Sequence, residues 1–220
     1  MAIGPLRTSD IKSRVLHLAQ TSVYQIKLSP PDEVNRHLKR NGFDYQQDGE
    51  DIELLCSNAV LPGTSLNTHQ VLGDYTGVME RMAYRRVYDS TVDFTFYVDH
   101  DYKVIEFFDS WFDFISAQGE GQYLNDQDAV KNAAAYRVNY PKSYKTNMYI
   151  VKFEKDVSND RKVFEDADTY QLTYILVNAF PTNIISTPIS YEGSNVLRYT
   201  VSCAFDRYVL NKRQIEEIES

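Results

Sequence analysis

Asp99-His100-Asp101 is the first place in the chain where chemistry could reside, since three consecutive side chains each offer a metal-ligand atom. Adjacent residues on a turn point in divergent directions, however. The trio also falls where an alternating strand ends and a helix needs its first cap, so Asp101 is expected to cap that helix. The four histidines, His17, His37, His69 and His100, occupy four separate stretches, without the HxH or HExxH spacing that brings two imidazoles to one metal. Gly119-Glu120-Gly121 has the flavour of a phosphate loop, yet no strand feeds it and no Lys-Ser/Thr follows. There is no GxSxG elbow, and among the many carboxylates no pair is singled out for acid–base work. Cys56 and Cys203 both lie within apolar strand patterns and are expected to be buried free thiols of a reducing compartment. These residue types predict no catalytic residue, no cofactor and no metal.

The elements that would have to position any site are mostly strands. Seventeen Tyr and eleven Phe against one Trp and four Met favour β structure, and 43% hydrophobic content suffices for a core. At 220 residues the chain is expected to form a single domain, residues 1–220. A formal charge of −8 argues against a general phosphate-binding surface, although it suits a surface that must not stick to DNA. No run reaches the roughly 18 apolar residues of a membrane span, and the first residues lack a signal-peptide core, so no membrane anchor is expected.

Two late strands dominate. One runs from Thr169 to Phe180 and into Pro181-Thr182-Asn183-Ile184; the other runs from Asn195 to Tyr208. In the second, Leu197, Tyr199, Val201, Cys203 and Phe205 share one parity against Arg198, Thr200, Ser202 and Ala204. Such alternation places one side on a core and leaves the other polar. Phe180-Pro181 is read as a corner between these strands. Val92, Phe94, Phe96 and Val98 alternate in the same way. Further strands are expected at 23–28, 52–56 and 149–155, and a short helix at 8–19 capped by Thr8-Ser9-Asp10. One strong amphipathic helix spans 101–117, where Val104, Phe107, Phe108, Trp111, Phe112 and Ile115 form an apolar stripe, read as core rather than as a ligand box. Ser29-Pro30-Pro31 opens and Asn41-Gly42 closes a strongly charged helical stretch, and residues 30–51 as a whole are read as a surface insertion, residues 209–220 as an exposed tail, and Ala133-Ala134-Ala135 as a turn of helix. An antiparallel β-sandwich or partly rolled barrel with one flanking amphipathic helix is the economical architecture.

Leu61-Pro62-Gly63, the strand at 91–99, the helix segment Phe107-Phe108-Asp109-Ser110-Trp111 and Asn178-Ala179-Phe180-Pro181-Thr182-Asn183 stand in an order that resembles the tail tube proteins of contractile-tailed bacteriophages. The closing run Tyr199 to Phe205 has the character of that family's last strand, and the resemblance spans about residues 23–208. It implies a structural, non-catalytic subunit of the tube-type fold, forming hexameric rings stacked into a tube. Strands would line a lumen through which the genome passes. The tail sheath, the baseplate and further copies of the chain would be its partners. The location implied is the virion tail, assembled in the cytoplasm of the bacterial host. A tube-initiating or baseplate-hub ring of the same fold, or the tube of an injection machine, is the alternative within this resemblance. A carbohydrate-binding β-sandwich that offers its aromatics for stacking is the alternative from another class.

Ring formation would pair the open edges of such sheets, and head-to-tail stacking of rings gives an open-ended filament. Polar-parity residues such as Gln171, Thr173, Arg198, Thr200 and Ser202 are candidates for a lumen, where Arg198 would need a neighbouring carboxylate. A β-ribbon is expected within 67–89, and its Tyr75, Met79, Met82 and Tyr84 suit a ring-to-ring interface. An ordinary hairpin packed on its own domain is the other reading of that stretch.

Overall fold

The computed structural model describes residues 21–73, 77, 79–116, 138–153, 171–189 and 196–213. Among them nine strands occur: β1 (Tyr24–Lys27), β2 (Cys56–Ala59), β3 (Thr64–Leu72), β4 (Met79–Tyr88), β5 (Thr91–Tyr97), β6 (Thr146–Phe153), β7 (Gln171–Ile185), β8 (Arg198–Ala204) and β9 (Arg207–Arg213). The helices are α1 (Asp32–Arg40), α2 (Tyr45–Leu54), α3 (Lys103–Ser116) and a single turn, α4 (Pro141–Tyr144). Seven strands form one antiparallel sheet in the order β1-β6-β7-β8-β5-β2, with β9 paired to β7, while β3 and β4 form a separate two-stranded sheet.

The long strand β7 organises this sheet. Its first half pairs with β6 on one edge and β9 on the other, and its second half, Phe180–Ile185, pairs with β8. The changeover is a bend inside one strand, and no corner separates two strands there, contrary to the reading of Phe180-Pro181. Asn178 takes a left-handed φ of 58°, and the registers slip at Thr146/Met148 and again at Pro181/Asn183. Proline fits because the ladder is already irregular beside it. Asp206 braces the bend, accepting hydrogen bonds from Asn178 Nδ2 at 2.7 Å and from Lys145 Nζ at 3.4 Å. The two half-sheets curl toward each other until Tyr24 on edge strand β1 donates to the Cys56 carbonyl on edge strand β2 at 3.0 Å. Burial, the larger effect, pushes that phenol up to about 12.

The core fills this roll by strand parity. Ile26, Met148, Ile150 and Leu176 come from one half-sheet, and Val92, Phe94, Phe96, Val201 and Cys203 from the other; all are buried. α3 lies across them with Val104, Phe107, Phe108 and Trp111 inward. Phe108 meets Phe96 at 5.2 Å between ring centroids, and Phe107 meets Phe43, Tyr45 and Trp111 within 5.7 Å. The antiparallel β roll with its flanking aromatic helix follows the sequence pattern closely.

The stretch 30–51 departs from it. This is no surface insertion: Val34, Leu38, Phe43 and, just beyond, Ile52 are fully or nearly fully buried and pack with α3. α1 ends in a tight glycine turn, with Gly42 at φ 93°. There the Phe43 amide donates to the Leu38 carbonyl and the Gly42 amide to the Lys39 carbonyl, while Leu38 and Phe43 are themselves buried. Asp44 then caps α2 by accepting from the Gln46 amide at 3.1 Å. α2 runs to Leu54, so the strand expected at 52–56 begins only at Cys56. A short apolar run fits either period, and the Asp44 cap decides for helix. Asp101 does not cap α3. Its Oδ1 lies instead 3.0 Å from His100 Nε2, and the helix opens after Tyr102, whose φ is 55°. Residues 209–213 belong to β9 and not to an exposed tail. The expected helix at 8–19, the Ala133–Ala135 turn and Gly119-Glu120-Gly121 lie outside the described residues.

Candidate assembly surface

The β3–β4 ribbon is the part of the described chain that the fold does not use for its own core. Its register pairs Thr64 with Tyr88 at the base and Leu72 with Met79 near the tip. A slip between Asn67 and Thr68 leaves Tyr84 as the bulged residue. Apart from the base, its side chains are exposed on both faces, among them Leu66, Val71, Met79, Met82 and Tyr84. An isolated two-stranded sheet is at best marginal in water, and exposed apolar side chains in one place mark an interaction surface.

The base, in contrast, is firmly held. Leu61-Pro62-Gly63 delivers the chain into β3, with Leu61 exposed and Pro62 buried. The Gly63 amide donates to Asp89 Oδ2 at 2.6 Å, and the Asp89 amide returns a bond to the Gly63 carbonyl at 3.3 Å. A Cβ on Gly63 would meet that Oδ2 at 2.7 Å, which explains a glycine here. Arg86 donates to Thr64 Oγ1 at 3.0 Å and spreads its guanidinium over Tyr88 at 4.9 Å and Tyr208 at 5.6 Å. Tyr208 in turn meets Tyr88 and Tyr174 within 5.6 Å. An aromatic socket on β7 and β9 thus fixes where the ribbon leaves the body. Nothing in the sequence linked Arg86 to Tyr208, 122 positions away.

Of the ring-contact candidates, Met79, Met82 and Tyr84 lie together on β4, and Tyr75 is outside the described residues. Trp111 is buried at the centre of α3, Phe180 is half-buried against Tyr144 at 5.1 Å, Pro181 is buried, and Asn183 is exposed opposite Ser202.

The outward face of β5 and β8 carries hydroxyls that satisfy one another. Ser202 donates to Asp93 Oδ1 at 2.6 Å, and the Thr95 and Thr200 hydroxyls lie 3.0 Å apart. Among the described residues Arg198 meets no carboxylate; its guanidinium lies 5.6 Å over the Tyr97 ring.

Among the described residues candidate chemistry does not gather into a site. The Asp99, His100 and Asp101 ligand atoms lie within 4.8 Å of one another on an exposed turn, with the two imidazole nitrogens 3.3 Å from Asp99 Oδ1 and 3.0 Å from Asp101 Oδ1. A polar cavity of about 260 Å³ beside α1 is lined by Asp32, Asn35, Arg36, Lys39, Asp44, Tyr45 and Gln46, and its Lys39–Asp44 pair closes on itself at 3.4 Å. Cys203 is buried, with its thiol pushed up first by burial and then by Asp93; Cys56 is half-buried, with its thiol raised to about 11 by burial. Both are free and neither is poised as a nucleophile. Among the described residues no helix is long and apolar enough to cross a membrane.

Residues 19–211 match the phage tail tube protein family, and the chain belongs to that family. It is a structural tube protein of a phage-type tail, not an enzyme. No curated protein matches the chain by sequence. Among solved structures it is similar to the tube-terminating cap of the anti-feeding prophage (14% identity, TM-score 0.48, covering 90% of this chain and 93% of that one). It is similar also to the sheath–tube complex of an extracellular contractile injection system in the extended state (14% identity, TM-score 0.47, 95% and 100%). The sheath/tube terminator of that kind of system is a third (12% identity, TM-score 0.46, 89% and 97%).

Proposed function

We propose that the chain assembles into rings, hexameric as the family resemblance implies, that stack head to tail into a tube within a contractile tail, and that the β3–β4 ribbon makes the ring-to-ring contact. The observation that carries this is the ribbon itself: a rigidly rooted two-stranded sheet whose apolar side chains, Met79, Met82 and Tyr84 among them, find no partner surface within the described chain. Tail sheath and baseplate proteins are its further partners, and DNA passes through the lumen during ejection without specific binding.

The hydroxyl-bearing face of β5 and β8 is the candidate lumen wall. Its Thr95, Thr200, Ser202 and Asp93 are mutually bonded, and its one arginine, Arg198, is engaged by Tyr97, so it offers phosphates little to hold. A net charge of −8 works in the same direction. The test is to replace 65–87 by a short glycine-rich linker between Thr64 and Tyr88, which pair at the ribbon base. The variant keeps its thermal unfolding transition and, by negative-stain microscopy, stops at single rings. Tubes that persist after the replacement remove the ribbon from the stacking contact.

A further inference from the structure

We infer that the ribbon of one copy docks on the opposite end of another copy, on an acidic and apolar patch formed by the β5–α3 turn and the C-terminus of α2. The inference rests on the ribbon being the stacking element, and it names the surface that receives it.

Strand β5 sets the geometry. It starts at Thr91, directly after the ribbon base at Asp89, and ends at Tyr97, from which the chain enters the Asp99-His100-Asp101 turn. The ribbon and that turn therefore lie at the two ends of one seven-residue strand, roughly 23 Å apart at most. Strand β2 repeats the arrangement in reverse. It leaves α2 beside Tyr97, whose amide donates to the Leu55 carbonyl, and runs back toward Gly63. The ribbon and the α2 C-terminus are thus at opposite poles, as a head-to-tail contact between identical copies requires.

The two poles are complementary in charge. Arg81 and Arg85 are exposed on the ribbon, with Glu80 the acidic residue beside them on β4. At the far pole Asp99 and Asp101 are about half exposed. Asp48 and Asp51 lie close enough to act on Lys103, which Asp48 binds at 2.6 Å. Four carboxylates there face Lys103, His100 and Arg198, whose guanidinium lies over Tyr97 at the same end of β5.

They also match in apolar character. Tyr84 is 68% and Met82 50% exposed on the ribbon, while Leu54 is 74% and Tyr102 58% exposed at the far pole. Large side chains left in water at both poles, with opposite charges on the same elements, have the composition of two halves of one contact. Tyr102 adds a second sign, since a left-handed φ of 55° is unfavourable for tyrosine and holds its ring outward on the turn.

Charge reversal tests this. Arg81→Glu with Arg85→Glu raises the protein concentration needed for tube formation by at least about tenfold, as does Asp99→Lys with Asp101→Lys, because like charges then meet. Mixing the two double variants, or combining all four changes in one chain, restores tubes. Rescue supports the docking pair. Reversal without effect, or loss without rescue, overturns it. The linker replacement of 65–87 separates the two levels: if it stops stacking while the charge swaps are not rescued, the ribbon stacks on another surface. If it leaves tubes intact, the ribbon reading fails first.

Discussion

Trp111 sits at the centre of α3 with no exposed surface, and its indole Nε1 is buried without a hydrogen-bond partner among the described residues. Its value is therefore packing alone, against Phe107 at 5.6 Å and the sheet beneath. Trp111→Ala is expected to lower unfolding free energy by about 3–5 kcal/mol, measured by urea titration. Trp111→Phe is expected to cost only about 1–2 kcal/mol, since it also deletes the unpaired donor. Equal losses would mean that the indole is bonded after all. Asp206 is a second residue with a separable role. The Asn178 side chain, first, and Lys145 hold its carboxyl below the ordinary value of 3.8. A carboxyl with a depressed folded pKa adds stability above its unfolded pKa and loses it as pH falls through the folded one. Thermal midpoints measured from about pH 6 down to about pH 2 should show Asp206→Asn less stable than the native chain above about pH 4. The two should converge in stronger acid. A constant gap across that range would assign the loss to packing.

At the scale of elements, the ribbon separates from everything else because its two strands pair only with each other. Its rigid base and exposed arms explain why trimming 65–87 should spare folding and abolish stacking. The strands were legible where one parity is apolar throughout: Val92, Phe94 and Phe96 in β5, and Tyr199, Val201 and Cys203 in β8, are all buried as their alternation required. α3 was legible for the same reason at helical period. α1 was legible as a helix from the prolines before it and Gly42 after it, but its burial was not, because a nine-residue helix with Val34, His37 and Leu38 buried looks thin in sequence. Its partners are aromatic side chains from α3: Phe114 lies 5.6 Å from His37, and Phe107 lies 5.7 Å from Phe43 just after α1. A helix roofed by large neighbours needs few apolar residues of its own. The bend in β7 was hidden too, because Asn178, Lys145 and Asp206 meet only in three dimensions.

For the whole molecule, the bent β7 lets one strand serve both half-sheets, so the roll has a single continuous spine. The edges left open are where neighbouring copies are expected to pair. Of the assembly surface, the apolar residues of β4 could be read from sequence, but their isolation from the core could not, nor could the Arg86–Tyr208 socket that aims them. The opposite poles of charge emerge only once β5 is known to run from the ribbon base to the Asp99–Asp101 turn. The central claim is assembly of this chain into stacked rings, and negative-stain electron microscopy of the purified protein across a concentration series tests it most directly. Hollow tubes of uniform width, growing longer as concentration rises, are the predicted result. A monomer at every concentration, with neither rings nor tubes, would contradict it.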